Sequence, residues 1–309
     1  MINTPILFLI FNRPDTTKKV FNAIKKATPA KLYIASDGPR EDKENEFKLC
    51  QESRSIINEI DWNCEVKILF RDKNLGCKIA VSSAIDWFFQ HENEGIILED
   101  DVLPCNDFFH FCESMLIKYR NDNRVVMVTG NNLLGGNVAS NEYYYSNFYS
   151  IWGWATWKRS WDTYDVNIIN WPDPFIKNYL NHSFSKKLSR YYETSFNLIK
   201  DNKIDTWDHQ WTYNCIINPG FCITPRANLV TNIGVIGAHS PKLSENHFIP
   251  FGIIDIQNLK HPKYKIADYE SDNIFTKLKI KNTSFLKIIL IQFLKRVKLY
   301  NVVKNIING

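Results

Sequence analysis

Residues 95–101 read Gly-Ile-Ile-Leu-Glu-Asp-Asp, and this stretch decides the fold. Its apolar first part predicts a buried strand, because strands covered on both faces of a parallel sheet read as continuous apolar runs. Side chains alternate along a strand, so Glu99 and Asp101 should point one way and Asp100 the other. Where the strand becomes a loop, we expect the three carboxylates to surround one ligand.

Further apolar runs are spaced along the first 130 residues, and helical patterns separate most of them. The apolar runs lie at residues 5–10, 31–36, 65–70 and 125–128. The helical patterns lie at residues 42–59, 78–90 and 107–119. Such alternation predicts an α/β fold with a mainly parallel sheet flanked by helices. Ligands of such sheets bind at the carboxyl ends of the strands, where the acidic triplet falls.

The alternation stops near residue 130, and this predicts how the chain is organised. We expect one domain over residues 1–275, with a first half at 1–130 and a second half at 131–275. The second half reads as helical and loop-rich. A C-terminal basic tail is expected at 276–309.

The tail carries eight Lys or Arg residues and no Asp or Glu from Phe275 onward, in a chain of net charge +5. Its mixture of apolar and basic residues predicts a basic amphipathic helix. Such a helix would lie on an anionic membrane surface, or pack on the domain or a second subunit. Its charges argue against a membrane-spanning helix. The rest of the chain is slightly acidic, so no nucleic acid partner is expected.

The seven cysteines have no CxxC spacing, so they predict neither a zinc site nor a disulfide framework. Scattered thiols are typical of a reducing compartment. The first residues lead into an apolar run without the charged leader and cleavage site of a secretory signal. We therefore expect a cytoplasmic protein, peripheral on the inner face of the cytoplasmic membrane if the tail binds lipid.

The acidic triplet is the first candidate site. Hard divalent cations take oxygen ligands, and Mg²⁺ or Mn²⁺ often uses one or two carboxylates plus phosphate oxygens. An isolated run of three acids is more typical of a solvated loop. Its position at the end of an apolar strand favours a site for Mn²⁺ or Mg²⁺ instead.

Other polar residues should lie beside the triplet at neighbouring strand ends. Arg13, next to Asn12, can face a pyrophosphate. Asp37 can accept a hydrogen bond from a base, although Asp37-Gly38 is also a common turn. Lys78 begins a helix on the same side, where it would either reach a phosphate or stay solvated. We therefore expect three loops to converge on one crevice.

Two more candidates lie in the second half of the chain. Asp208 is flanked by Trp207 and Trp211, an apolar setting that can raise the pKa of a carboxyl and suit a general base. The alternative is an amphipathic helix with core tryptophans and a solvated Asp208. His239 is a candidate metal ligand, with a structural histidine as the alternative.

These motifs, in this order, resemble the glycosyltransferases of the GT-A fold, in particular bacterial sugar transferases akin to eukaryotic N-acetylglucosaminyltransferase I. The matching motifs are Phe-Asn-Arg-Pro at 11–14, Ser-Asp-Gly at 36–38, Asn-Leu-Gly at 74–76, Ile-Leu-Glu-Asp-Asp at 97–101 and Trp-Gly-Trp-Ala-Thr-Trp at 152–157. The resemblance covers about residues 5–240. It implies a GT-A (Rossmann-like) glycosyltransferase domain over residues 1–275, with a nucleotide-binding half at 1–130 and an acceptor-binding half at 131–275. It implies transfer of a hexose or N-acetylhexosamine from a UDP-sugar to a glycan or lipid-linked acceptor, in bacterial polysaccharide biosynthesis.

The same resemblance implies roles for individual residues of the first half. Asp101 would hold the metal that bridges the two phosphates of the donor. Asp100 would contact the ribose, and Glu99 would contact the donor sugar at the reacting centre. Asp37 would accept a hydrogen bond from the uracil ring, and Arg13 would lie along the nucleotide.

For Asp208 the resemblance implies the role of base toward the acceptor hydroxyl, and hence an inverting direct displacement. The following His209-Gln210 differs from the eukaryotic enzymes. Two alternatives stay open: a sugar-nucleotide nucleotidyltransferase, whose usual Gly-rich basic N-terminal loop is missing, and a non-catalytic nucleotide-sugar binding module. The sequence lacks GxGxxG after its first strand, GxxxxGK[ST] and GxSxG, which disfavours a dehydrogenase, a P-loop NTPase and a nucleophile elbow.

Overall fold

The computed structural model of the chain describes residues 1–135, 141–234 and 249–282, and an eight-stranded sheet lies at the centre of that part. The strands are β1 (Ile6–Ile10), β2 (Lys31–Ser36), β3 (Glu65–Phe70), β4 (Glu94–Glu99), β5 (Val102–Pro104), β6 (Val125–Thr129), β7 (Tyr143–Ser146), β8 (Trp154–Trp157), β9 (Phe221–Pro225) and β10 (Val230–Asn232). The helices are α1 (Pro14–Ala27), α2 (Glu46–Arg54), α3 (Gly76–Phe89), α4 (Asn106–Tyr119), α5 (Lys158–Trp161), α6 (Pro174–Ser183), α7 (Lys186–Lys200), α8 (Asp208–Ile217) and α9 (Tyr269–Asn282).

The strand order in the central sheet is β3-β2-β1-β4-β8-β6-β9-β7. The first four strands in this order are parallel neighbours, and β6 pairs in parallel with β9. Strands β7 and β8 pair antiparallel with their neighbours, and β5 and β10 form a small separate antiparallel sheet. A mainly parallel sheet flanked by helices is therefore present, and the predicted α/β fold class is confirmed.

The second half of the chain contributes more strands than its sequence pattern indicates. We expected helices and loops there, but β7, β8 and β9 all belong to the central sheet. Strand β8 inserts between β4 and β6, so both halves of the chain build one sheet. A strand of four residues is too short to give a recognisable alternation of apolar and polar side chains. The helix expected over 42–59 also differs, because α2 begins at Glu46 and gives way to a 3₁₀ turn at Ser55–Glu59.

Both faces of the sheet are covered, which explains the continuous apolar runs. In β1, Phe8 packs into the core on one face and Leu7 into the core on the other. Trp154 of β8 lies on the second face, where Trp207 stacks on it with ring centroids 5.7 Å apart and Trp211 lies at 5.4 Å. Buried rings of this size contribute a large part of core stability. They fix α8 and the residue that precedes it on the sheet.

Helix α9 is fixed at the β7 edge of the sheet. Asp272 accepts hydrogen bonds from the Ser146 hydroxyl at 2.5 Å and from the backbone N–H of Asn147 at 3.0 Å. Beyond Asn282 the predicted amphipathic tail lies outside the described residues. Among the helices that the structure describes, none has the length and apolar character needed to cross a membrane.

Gly95 in β4 has no room for a side chain. A Cβ atom there would lie 2.3 Å from Cζ of Phe88 and 2.9 Å from the carbonyl oxygen of Pro5. Phe88 is fully buried, so Gly95→Ala is expected to lower the free energy of unfolding by about 1–3 kcal/mol through overpacking. Urea denaturation measures this loss. In the Phe88→Leu background the loss should be smaller, and an equal loss there would contradict the steric explanation.

Candidate functional site

A cleft of about 410 Å³ opens at the carboxyl ends of β1, β2 and β4, the edge at which the sequence predicts a site. Six of the predicted site residues line it, namely Arg13, Asp37, Glu99, Asp100, Asp101 and Asp208. The first five come from residues 1–130, and Asp208 comes from residues 131–275. The fold therefore brings the acidic triplet and the proposed base into one cavity.

The triplet is organised around the guanidinium group of Arg13. Glu99 is the last residue of β4, and Asp100 and Asp101 form the turn before β5. Arg13 Nη1 donates to Asp101 Oδ2 at 2.5 Å and lies 3.6 Å from Asp100 Oδ1. The other oxygen of Asp100 accepts from the backbone N–H of Phe11 at 3.0 Å. The end of β1 thus holds Asp100 and Asp101 in place through Phe11 and Arg13.

The electrostatics of the triplet follow from its burial. Burial raises the pKa of Glu99 to about 8, and the negative charges of Asp101, Asp100 and Asp208 add to this rise. Burial also raises the pKa of Asp100 to about 6, although the charge of Arg13 opposes the rise. Arg13 itself loses solvation, yet Asp100 and Asp101 raise its pKa above the usual value. Crowded, buried carboxylates of this kind are relieved by a bound cation.

Asp101, the predicted metal ligand, lines the cleft with one of its carboxylate oxygens already in a hydrogen bond. Its Oδ2 atom accepts from Arg13, and its Oδ1 atom has no hydrogen bond from the described residues. Within the described residues, no three ligating side chains surround one point. A hard cation at this point would need further oxygen ligands from outside the described residues, and the metal role of Asp101 stays a prediction. The carboxylate chemistry of the triplet fits such an ion.

The predicted metal ligand His239 lies outside the described residues, so its role stays a prediction. Gly234, the last described residue before His239, packs directly against the triplet. A Cβ atom on Gly234 would lie 2.6 Å from Asp101 Oδ2. The backbone N–H of the preceding residue, Ile233, donates to the carbonyl oxygen of Asp101 at 2.7 Å.

Asp37 lines the cleft, but its carboxylate already accepts several hydrogen bonds. The backbone N–H groups of Gly38 and Leu75 donate to it at 3.0 Å, and Asn74 Nδ2 donates at 2.9 Å. Burial raises the pKa of Asp37, while these donors and the charge of Arg71 act against the rise. Asp37 therefore faces the cavity with its carboxylate held by the segment 74–75 and by Gly38, and its contact with a base stays a prediction.

Asn12 and Lys78 are not among the residues that line the cleft. The amide group of Asn12 donates to Glu46 Oε1 at 2.7 Å, and the same carboxylate binds Arg40. Lys78 points to Asn167 Oδ1, 3.4 Å from its Nζ atom. Their nucleotide contacts stay predictions.

Asp208 begins α8 and faces the cleft, but its environment differs from the expected one. The sequence predicts a raised pKa from the flanking tryptophans. Burial does act in that direction, yet the charge of His209, the hydroxyl of Thr206 and backbone N–H groups outweigh it and lower the pKa of Asp208. Trp207 and Trp211 are core residues, exposed by 2% and 0%. The expected rise in the pKa of Asp208 is therefore wrong, and the carboxylate is ionised at neutral pH.

Sequence reasoning missed several residues of the cleft. Arg40 lines it, and the buried carboxylate of Glu46 holds the guanidinium group of Arg40 in position. Trp152 and Asp205 also line it. Asp205 belongs to the same Asp-Thr-Trp-Asp tract as Asp208, and this proximity was the only signal for it in the sequence.

No protein-family model matches the chain, and no curated protein matches it. Among solved structures it is similar to HddC from Yersinia pseudotuberculosis, with 10% sequence identity and a TM-score of 0.34 over 59% of this chain and 87% of that one. It is also similar to S. aureus TarS 1–349, with 7% identity and a TM-score of 0.39 over 74% of this chain and 59% of that one. A third similar structure is GalNAc-T7 with UDP, GalNAc and Mn²⁺, with 12% identity and a TM-score of 0.43 over 73% of this chain and 43% of that one.

The alignments span less than two thirds of the TarS and GalNAc-T7 chains. Similarity at this level carries no functional conclusion. The function is therefore argued from the residues of the cleft.

Proposed function

We propose that the chain is a metal-dependent glycosyltransferase that moves a sugar from a UDP-sugar to a hydroxyl group of a glycan or lipid-linked acceptor. The observation that carries the proposal is the cleft at the strand ends, where Asp208 shares a cavity with the buried acidic triplet and Arg13. One side of such a cavity suits a diphosphate, and the other suits an acceptor hydroxyl. We further propose that the enzyme is akin to N-acetylglucosaminyltransferase I, as the sequence motifs suggest.

Asp208 is the proposed base. As the acceptor oxygen forms its bond to the anomeric carbon, Asp208 takes the hydroxyl proton, and the bond from that carbon to the phosphate oxygen breaks. A single direct displacement inverts the anomeric centre. The lowered pKa of Asp208 keeps the carboxylate deprotonated at neutral pH, so it can accept the proton, but makes it a weaker base than the raised pKa expected from the sequence would.

The residues around the triplet are proposed to bind and orient the donor. Arg13 provides charge-assisted hydrogen bonds to the diphosphate, and Asp101 holds the cation. When bound, the cation offsets the negative charge that develops on the leaving diphosphate. Asp100 contacts the ribose and Glu99 the donor sugar. The base contact of Asp37 completes the proposed donor site.

Titration calorimetry with UDP-, GDP- and CDP-sugars, with and without Mn²⁺, tests the proposal when it is followed by a transfer assay. We expect UDP-sugars to bind most tightly, and Mn²⁺ to increase their affinity. Transfer of the sugar to an added acceptor should then depend on Mn²⁺. Release of pyrophosphate from UTP and a sugar phosphate would indicate a nucleotidyltransferase, and binding without turnover would indicate a non-catalytic module.

The proposed location is the cytoplasm, with peripheral contact to the membrane through the tail. This contact rests on the sequence pattern of residues 276–309, most of which lie outside the described residues.

A further inference from the structure

A carboxylate from the acceptor-binding half binds the start of a helix in the nucleotide-binding half. Asp205 Oδ2 accepts from the backbone N–H of Cys77 at 2.8 Å, and Asp205 Oδ1 accepts from the backbone N–H of Lys78 at 2.9 Å. These two N–H groups belong to the first turn of α3, where the helix itself offers no acceptor. The residue that precedes α3, Leu75, provides no side-chain cap. Asp205 therefore caps α3 from 128 residues away in the sequence.

Gly76 makes this contact possible. Its φ of +77° is favourable for glycine and strained for other residues, and a Cβ atom would lie only 2.7 Å from Asp205 Oδ2. The carboxylate can thus approach the helix end directly. Its negative charge also complements the positive end of the helix dipole.

The contact fills the place that an anion would take at the start of α3. A donor diphosphate therefore has to lie elsewhere in the cleft, near Arg13. The side chain of Lys78 points to Asn167, which agrees with this arrangement.

Asp205 lies three residues before the proposed base, in a segment with a second attachment. Tyr164 donates from its hydroxyl group to the carbonyl oxygen of Trp207 at 3.0 Å, and Trp207 stacks on Trp154. Between the two attachments, the Thr206 hydroxyl donates to the Asp208 carboxylate. The segment that carries Asp208 is thus fixed to the acceptor-binding half at Trp207 and to the nucleotide-binding half at Asp205.

We infer that Asp205 is a positioning residue. Its contact with α3 attaches the segment that carries Asp208 to the nucleotide-binding half and so sets the distance between Asp208 and the donor. This inference rests on the proposed function. Small displacements of a reacting group can cost about 100-fold in rate. The contact of Asp205 with α3 is therefore a determinant of turnover and leaves nucleotide binding unaffected.

The test compares Asp205→Ala and Asp205→Asn with the intact chain. We expect kcat to fall on the order of 10- to 100-fold in Asp205→Ala, with UDP affinity in the presence of Mn²⁺ unchanged within about twofold. Asp205→Asn keeps one carbonyl oxygen as an acceptor, so it should recover part of kcat. Asp201→Asn is the matched control, because Asp201 is an exposed residue nearby that pairs with Lys203.

Hydrogen exchange gives a second readout that does not depend on turnover. The amides of Cys77 and Lys78 should lose protection in Asp205→Ala and keep it in Asp201→Asn. The inference is overturned if kcat stays at the wild-type value in a folded Asp205→Ala, or if UDP affinity falls in parallel with kcat. If the wild-type chain transfers no sugar, the proposed function fails separately. Hydrogen exchange then tests the contact of Asp205 with α3 by itself. Unchanged protection of the Cys77 and Lys78 amides in Asp205→Ala would reject the positioning role.

Discussion

Asp208→Asn is expected to abolish sugar transfer and to leave the affinity for UDP unchanged. The amide cannot take a proton from an acceptor hydroxyl, and loss of a general base costs about 100- to 10,000-fold in rate. Asn has the same shape, and its oxygen can still accept from the Thr206 hydroxyl that binds Asp208. The tryptophans that hold α8 on the sheet are untouched. Initial rates at saturating donor and acceptor, together with calorimetry of UDP, measure the two effects.

Asp201→Asn provides the control for this variant as well, since it makes the same chemical change outside the cleft. Its rates and melting temperature should match those of the wild type. Equal kcat values for Asp208→Asn and the wild type would remove Asp208 as the base. A large loss of UDP affinity in Asp208→Asn would instead mean that the carboxylate contacts the donor.

The sequence predicted the cleft residues that follow strands of the parallel sheet, because the apolar runs of those strands could be recognised. Strands buried on both faces require continuous apolar runs, so β1, β2, β4 and β6 could be recognised for this reason, whereas β3 is an edge strand in which Val66 and Ile68 are exposed. The carboxyl ends of parallel strands share one edge. Arg13, Asp37 and the acidic triplet could therefore be assigned to one crevice before their distances were known.

Features that depend on distant partners could not be predicted in this way. Nothing in the local pattern of residues 154–157 indicates that this short strand inserts between β4 and β6. The contact of Asp205 with α3 joins residues that are far apart in the sequence. The amide of Asn12 binds Glu46, a partner supplied by a helix that begins 34 residues later.

The pKa of Asp208 shows how local sequence can mislead. The neighbouring tryptophans suggested an apolar site and a raised pKa. However, Trp207 and Trp211 point into the core, and Asp208 lies at the first turn of α8, where backbone N–H groups stabilise negative charge. The identity of the adjacent residues was known, but the direction of their side chains was decided by the fold.

Asp101→Asn is expected to remove the dependence of UDP affinity on Mn²⁺. In the wild type, addition of Mn²⁺ should increase UDP affinity, and EDTA should reverse the increase. An amide is a weaker ligand than a carboxylate for a hard cation, so the increment should fall at least tenfold in the variant. Sugar transfer should fall with it, because charge on the leaving diphosphate is no longer offset.

The ion pair between Arg13 and Asp101 makes a stability measurement part of this experiment. The pair is partly buried, with 31% of the Arg13 side chain and 17% of the Asp101 side chain exposed, and removal of one charge from such a pair is destabilising. Asp100 remains 3.6 Å from the same guanidinium group, so we expect Asp101→Asn to fold with a lowered melting temperature. Asp72→Asn, a change at an exposed residue, should alter neither the melting temperature nor the effect of Mn²⁺. If folded Asp101→Asn kept the full Mn²⁺ effect on UDP affinity, Asp101 would not be the residue that holds the metal, and the search for the ligand would move to Glu99 and His239.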